Sequence, residues 1–284
     1  MTRRRSPKFD AVTPLGLTLR YTALCVVLLI TIGPMLWELS TSLKSPFEDV
    51  YSSTPQLLPR HPTLHNYDLV AQTIPIWHFA ENSVLVAVLG VGGNLVGATA
   101  AGYALARLRF RGRRLVTGLF LSTLVLPGEV TIISQYQTVT KLGFGDSLIG
   151  VALPGMIGAI NVLLIRNAFR SIPDELEDAA VIDGANVWQR IRYIGLPNVK
   201  GILSVVAILS FIAAWDDFLW PLLVLQSPNK LTLTVGLSYL QGEFSADPRT
   251  IAAGTMIALV PILVLFAVLQ RFFFRGVGEG AIKG

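Results

Sequence analysis

Ser171-Ile-Pro-Asp-Glu-Leu-Glu-Asp-Ala-Ala-Val-Ile-Asp-Gly184, running on through Ala185-Asn-Val-Trp-Gln-Arg-Ile-Arg-Tyr-Ile-Gly-Leu-Pro-Asn198, is the most polar stretch of an otherwise apolar chain. Of the 284 residues, 52% are hydrophobic and only 14% charged, whereas soluble domains carry about 25% charged residues. Too few solvated groups remain to cover a globule of this size, so the polar stretch reads as a loop between membrane-crossing segments. Leu, Ile, Val and Phe dominate, which excludes a disordered chain. The single cysteine, Cys25, excludes a disulfide framework within the chain and a cysteine zinc site.

Outward from that loop, six windows approach the roughly 20 apolar residues that a bilayer core requires: 21–42, 83–106, 115–139, 148–169, 199–225 and 251–274. The first follows Arg3, Arg4, Arg5 and Lys8, as the apolar part of a signal peptide would. No small-residue cleavage site follows it, so it reads as a retained helix. The expected fold is an all-α integral membrane protein of six transmembrane helices. A segment at 1–20 precedes the transmembrane domain at 21–274, and a tail at 275–284 follows it.

Basic residues near spans stay in the cytoplasm. With the N-terminus inside, that side collects five Lys and Arg before the first span and five in the run 107–114. It also takes five between Arg166 and Lys200 and three from Arg271 to Lys283, making 18 of the 23. Lys44, Arg60, Lys141, Lys230 and Arg249 fall outside. Both termini and the loop 170–198 are therefore expected in the cytoplasm, and the proline-rich segment 43–82 outside, as an extended cap with little helix. The basic run 107–114 sits between two closely spaced spans, so it reads as an anchor for anionic lipid headgroups and not as a nucleic-acid site.

No G-x-x-x-x-G-K-[S/T] phosphate loop occurs. Nucleotide-driven transport would need an ATPase on another chain. His61, His65 and His78 form no expected metal site, because Pro62 interrupts the pair spaced by four. No Ser/His/Asp set is suggested, because the histidines and the inner-leaflet serines fall on opposite sides of the membrane, so catalytic residues are not expected.

Within the loop, Pro173 suits a first helical turn, Asp174 and Glu175 the positive end of the helix dipole, and Gly184 a left-handed cap. A stiff helix over 173–183 follows. Asn186 then caps a second one through Tyr193, and Pro197 starts the next span. Ala179 and Ala180 leave a surface that another protein could approach closely; a solvated connector is the alternative from these residues alone.

Asp178-Ala179-Ala180, three residues, Gly184, nine residues, then Ile194-Gly-Leu-Pro197 resembles the signature E-A-A-x3-G-x9-I-x-L-P of bacterial ABC importer permeases, with Asp178 in place of the usual Glu. Asn82-Ser-Val, Ala101-Gly-Tyr-Ala-Leu-Ala-Arg107, Ile182-Asp-Gly-Ala185, Trp215-Asp-Asp-Phe-Leu-Trp-Pro221 and the ending Gln270 to Gly284 are similar to the carbohydrate-type permeases, such as the six-helix inner-membrane subunit of the maltose system. The resemblance implies a loop helix that docks in an ATPase cleft, with Pro173, Glu177, Asp178, Ala179, Ala180, Asp183, Gly184, Ala185, Ile194 and Pro197 in the coupling region. It also implies a C-terminal tail, Gly278, Gly280, Lys283 and Gly284, that reaches the ATPase. The implied partners are a second permease, two ATPase subunits carrying ATP and Mg, an extracytoplasmic solute-binding protein and a carbohydrate-like solute, at a bacterial cell membrane. No cofactor is expected on this chain.

Polar residues in spans face a cavity or a partner. Glu129, beside Pro127-Gly128, Asn161, Trp215, Asp216 and Trp220 are expected either to line the passage or to brace the helices around it. Asp216 and Asp217 lie ~100° apart on a helix, so at most one points at the pore. Gly90, Gly93, Gly97 and Ala101 form a small-residue face suited to close helix packing. The expected function is a sugar importer permease. A glycerol-3-phosphate or related polyol-ester importer is the alternative, and a self-sufficient channel or secondary transporter is the rival from another class.

Overall fold

The computed structural model describes residues 14–51, 56–242 and 247–281. The chain forms two compact units, Met1–Val70 with Ala246–Met256, and Ala71–Ser245 with Ile257–Gly284. The described residues are helical with loops between, and strands are absent among them.

In the first unit, α1 (Pro14–Ser42) is apolar enough to cross a membrane over Gly16–Ser42. Its last turn leaves carbonyls without intrahelical donors. Asn66, on α2 (His65–Thr73), donates its Nδ2 to Ser42 O and to Lys44 O just beyond, both at 2.8 Å, while the Ser42 and Tyr67 hydroxyls pair at 2.8 Å. Beyond α1, Arg249 donates to the carbonyls of Ser45, Pro46 and Glu48 at 2.8–2.9 Å. Burial disfavours charge on Glu48, yet the backbone N–H groups of Arg60, His61 and Ser45 outweigh it and hold that carboxyl down to about 2. The segment 43–82 is thus more helical than its prolines suggest. It contains α2, and Pro75 caps the next helix instead of breaking one.

In the second unit, α3 (Ile76–Arg107) is a 32-residue apolar helix that widens into a π turn at Asn94–Ala98. Two further pairs follow: α4 (Arg113–Thr123) with α5 (Gly128–Lys141), bent by 108°, and α6 (Leu148–Gly155) with α7 (Ala159–Arg170), bent by 46°. Then come α8 (Asp174–Ile182) and a third bent pair, α9 (Val187–Asn198) with α10 (Lys200–Trp215), at 84°. Short α11 (Leu219–Val224) and α12 (Leu233–Ser238) precede α13 (Pro248–Ala281), which begins in the first unit and continues in the second. Among the described residues, three helices, α1, α3 and Pro248–Val268 of α13, are long and apolar enough to cross a membrane, and each bent pair passes the same test as one span.

Two expected boundaries move. Pro197 does not open the fifth span but lies in the last turn of α9; the bend falls at Val199, with φ −108° and ψ 13°. The span expected over 199–225 ends at Trp215, and α11 is a separate helix whose third residue, Pro221, would have no N–H to continue a ladder.

The core of this unit joins the end of α3 to α7 and α10. Tyr103 and Phe169 meet edge-to-face at 5.3 Å, amid Leu105, Val162, Ile165 and Val206. Small residues set the spacing: a Cβ on Gly93, Gly97 or Gly102 would stand within 3.0 Å of Met156, Ile157 or Ile165. Close backbone approach of this kind replaces the hydrophobic drive that helices lose in lipid. The α5–α6 loop turns at Asp146 (φ 46°). The Ser227 hydroxyl, the backbone N–H groups of Gln226 and Ser227, and Lys230 Nζ all donate to its carboxylate, holding its pKa well below the usual range.

Gly150, on α6, tests how tightly this unit is packed. A Cβ there would lie 2.1 Å from the Phe144 carbonyl oxygen, a backbone atom that no rotamer change can move. Gly150→Ala is expected to cost about 1–3 kcal/mol through overpacking and to lower the thermal midpoint of the detergent-solubilised chain by several degrees. Gly92→Ala, with nothing within 4 Å, is expected to leave it unchanged or slightly raised. Equal midpoints for the two variants would refute this packing.

Candidate functional site: a clamped loop and a polar cavity

Helix α8 begins after Pro173 and carries three acids in its first turn, Asp174, Glu175 and Glu177. Gly184 follows at φ 79°, the left-handed conformation that ends the helix at small cost only for glycine. The N–H of Gly184 donates to Val181 O and that of Ala185 to Ala180 O. Asn186 and Gln189 then form a reciprocal capping box that opens α9.

Two side chains near the end of α3, Arg107 and Tyr103, fix this loop to that helix. Arg107 donates to the carbonyls of Phe169, at 2.7 Å, and Ile172, and pairs with Asp174. The Tyr103 hydroxyl donates to Glu177 Oε2 at 3.0 Å, and Arg190 meets the same oxygen at 3.3 Å. Glu177, grouped by the sequence with the partner-facing residues, is turned inward and is only 6% exposed. It anchors the helix, because its carboxylate needs the donors that Tyr103 and Arg190 supply.

Asp178, Ala179, Asp183, Gly184 and Pro197 are exposed, while Ala180, Ala185 and Ile194 are half-buried. Around them Leu176, Val181, Ile182, Val187 and Trp188 are exposed too, with Ile182 at 85%. The loop therefore has a clamped polar side and an open apolar side; none of these five apolar side chains was singled out by the spacing of the loop motif. The neighbouring basic run divides likewise. Arg109, Arg111 and Arg114 are exposed, whereas Arg113 donates to Ala106 O at 3.0 Å and, with Arg107, satisfies carbonyls near helix ends. Gly278 and Gly280 fall within α13, and Lys283 and Gly284 lie outside the described residues.

A cavity of about 310 Å³ lies among α3, α5, α6, α7, α10 and α11. Its polar lining comes from Asn94, Gln135, Asn161, Ser210, Asp217 and Trp220. Asn94 stands at the π turn of α3. Its Nδ2 donates to Gly90 O at 3.1 Å and Gly155 O at 2.6 Å. Its Oδ1 accepts from Gly158 N at 2.8 Å and Asn161 Nδ2 at 2.9 Å. Asn161 Nδ2 also donates to Ser210 Oγ at 3.1 Å, and Trp220 Nε1 to Val151 O at 3.1 Å.

Of the residues expected at the passage, Asn161 and Trp220 line this cavity. Trp215 is buried and donates its Nε1 to Ala258 O at 3.0 Å, a bracing contact with α13. Glu129 is exposed at the start of α5 and Asp216 is exposed beyond α10; neither lines the cavity. Asp217 lines it in place of Asp216, since α10 stops at Trp215 and the spacing of a continuous helix no longer applies. Asn94, Gln135 and Ser210 were missed from the sequence. Asn94 lies within Gly93-Asn-Leu-Val-Gly97, where the glycines carry a small-residue signal and the single amide between them carries none.

Residues 93–279 match the family described as binding-protein-dependent transport system inner membrane component. The chain is 35% identical over 208 residues to the arabinooligosaccharides transport system permease protein of Halalkalibacterium halodurans, covering 73% of this chain and 75% of that one. It is 31% identical over 271 residues to the sulfoquinovosyl glycerol transport system permease protein of Agrobacterium fabrum, covering 95% of each. In fold it is similar to a chain of the crystal structure of a bacterial ABC transporter involved in the import of the acidic polysaccharide alginate. The TM-score is 0.81 at 24% identity, covering 94% of this chain and 100% of that one. A helical membrane scaffold, a loop clamped on one side and open on the other, and these matches lead to one assignment: the chain belongs to the binding-protein-dependent transport system inner membrane components, the permease subunits of ABC importers.

Proposed function

We propose that this permease carries a carbohydrate-like solute across the cytoplasmic membrane by alternating access, with six spans and both termini in the cytoplasm. Each bent pair is then one span, and the loop 170–198 faces the cytoplasm, in keeping with the 18 of 23 basic residues assigned to that side. Two ATPase subunits binding ATP and Mg supply the energy. A second permease completes the passage, and an extracytoplasmic binding protein delivers the solute. The solute class rests on relatives whose names specify arabinooligosaccharides and sulfoquinovosyl glycerol.

The observation that carries the coupling role is the two-sided loop. Its acids and Tyr103 tie it to α3 and α7, so it moves as part of the membrane helices. Its exposed apolar side, with Ala179 at close approach, is what a cleft in another protein would cover. The tail from Gly278 to Gly284 is proposed as a second ATPase contact.

Two predictions follow from this division. Ala179→Trp and Gly184→Glu, on the open side, are expected to abolish transport and release the ATPase during purification, with the permease still folded by circular dichroism. Wild-type co-purification and solute-stimulated ATP hydrolysis would refute the docking. Tyr103→Phe, on the clamped side, removes one hydrogen bond to a buried carboxylate, a loss of about 1.5–3 kcal/mol. It is expected to lower the thermal midpoint of the permease and reduce transport per ATP hydrolysed while the ATPase still co-purifies. Unchanged stoichiometry and unchanged midpoint would refute the clamp.

A further inference from the structure

Two helices change their winding at one level of the second unit. α3 widens into a π turn at Asn94–Ala98, and α6 tightens into a 3₁₀ turn at Leu153–Gly155 before the break that leads to α7. Irregular turns of both kinds inside helices recur at hinges and functional sites. Asn94 joins the two. Its Nδ2 donates to Gly155 O at 2.6 Å and its Oδ1 accepts from Gly158 N at 2.8 Å, so one side chain, 2% exposed, holds both lips of the break.

The two halves of α3 are fastened to different neighbours. On the loop side, a Cβ on Gly102 would stand 2.9 Å from Ile165 of α7, Tyr103 meets Phe169 edge-to-face, and Arg107 holds the Phe169 carbonyl. On the other side, Ser83 Oγ accepts from Leu233 N at 2.8 Å, Asn82 Nδ2 donates to Leu231 O at 2.9 Å, and α6 packs along the same half of α3. α3 therefore belongs to two packed bodies, and its winding changes where one gives way to the other. The break has room on one face only. Gly93 and Gly97 leave no space for a Cβ against Met156 and Ile157, whereas a Cβ on Gly155 would meet nothing within 4 Å, and the cavity of about 310 Å³ opens there.

We infer that Asn94 is the pivot of the transport stroke, a positioning residue about which the loop-side body tilts against α6 and the first half of α3. That body consists of α7, residues 99–107 of α3 and the loop helix α8. The inference rests on the importer reading, in which the ATPase supplies the force at α8. An amide suits the place because it carries a donor and an acceptor at once, and so keeps hold of both lips while the angle between them changes. Free volume beside Gly155 lets that angle change without compressing a side chain, and α10, unbroken from Lys200 to Trp215, passes alongside and keeps the two bodies in register.

The test places spin labels on the full-length chain in nanodiscs, in a Cys25→Ser background. Ile149→Cys with Asn167→Cys straddles the break, and Leu85→Cys with Ile149→Cys lies on one side of it; all three positions are exposed. In the importer assembled with its ATPase and binding protein, trapping with ATP and vanadate is expected to shift the first distance by several ångströms and leave the second unchanged. Gly155→Ala removes backbone freedom where the added methyl meets nothing. It is expected to keep or raise the thermal midpoint of the permease, yet to shrink the shift and slow ATP hydrolysis severalfold. Gly118→Ala, equally open but on α4, is expected to change neither. In the permease alone, Asn94→Ala is expected to broaden the first distance distribution and not the second. A first distance that trapping leaves unchanged overturns the pivot, as does a shift and a hydrolysis rate that Gly155→Ala leaves at their original values. Failure of the ATPase to co-purify sinks the importer reading instead; the Asn94→Ala comparison in the permease alone then decides the pivot, and equal distributions overturn it.

Discussion

A helix that breaks inside a membrane frees backbone groups that have no water to turn to, and unsatisfied groups there cost several kcal/mol each. With the bent pair α6–α7 as one of the proposed spans, its break meets this constraint through one side chain. Asn94 donates to Gly155 O on one side of the break and accepts from Gly158 N on the other. It reaches both because α3 opens into a π turn beginning at that residue, and because Gly93 and Gly97 let α3 approach Met156 and Ile157 within the width of a missing Cβ. A π turn, two glycines and an amide are thus parts of one solution. The cavity lies where they meet.

The same helix, α7, joins that break to the loop. It starts one residue after Gly158, carries Asn161 into the cavity wall, and ends at Arg170, beside the Phe169 carbonyl that Arg107 holds. Its 12 residues span roughly 18 Å at 1.5 Å each. Glu177 and Tyr103 tie α8 to α3, and Arg107 ties α3 to the end of α7. Those two helices meet again at Asn94 and Asn161. Loop and cavity are thus joined by two helices that are hydrogen-bonded to one another at both ends, the connection on which the proposed coupling relies.

How much of this the sequence disclosed follows from where each feature gets its physical determinants. The loop helix was legible because its determinants are local: Pro173 and Gly184 bracket it, and the acids sit in the turn where the helix dipole favours them. Windows of apolar residues located the candidate spans for the same reason. The inward turn of Glu177 was not legible, since it depends on Tyr103, 74 positions away, and an acid on a polar loop looks solvated when read alone. The cavity was half legible. Asn161 and Trp220 stood out as polar or amphipathic groups within apolar runs. Asp216 was preferred to Asp217 only by assuming a continuous helix, and Trp215 ends it. Ser210 and Asn94 are small polar residues of a kind that commonly joins helices, and only the assembled helices show them on one wall.

The arrangement at Asn161 also bears on stability. A buried carbonyl without a donor is costly, about 1–3 kcal/mol, and most folds remove such a cost by supplying a donor. Here Ser210 and Asn94 both engage the nitrogen side of the amide, and Oδ1 is buried without a donor. That cost stays in the folded state and is offset by the four hydrogen bonds of Asn94, each worth about 0.5–1.5 kcal/mol net, three of which hold α3 to both sides of the break and to Asn161.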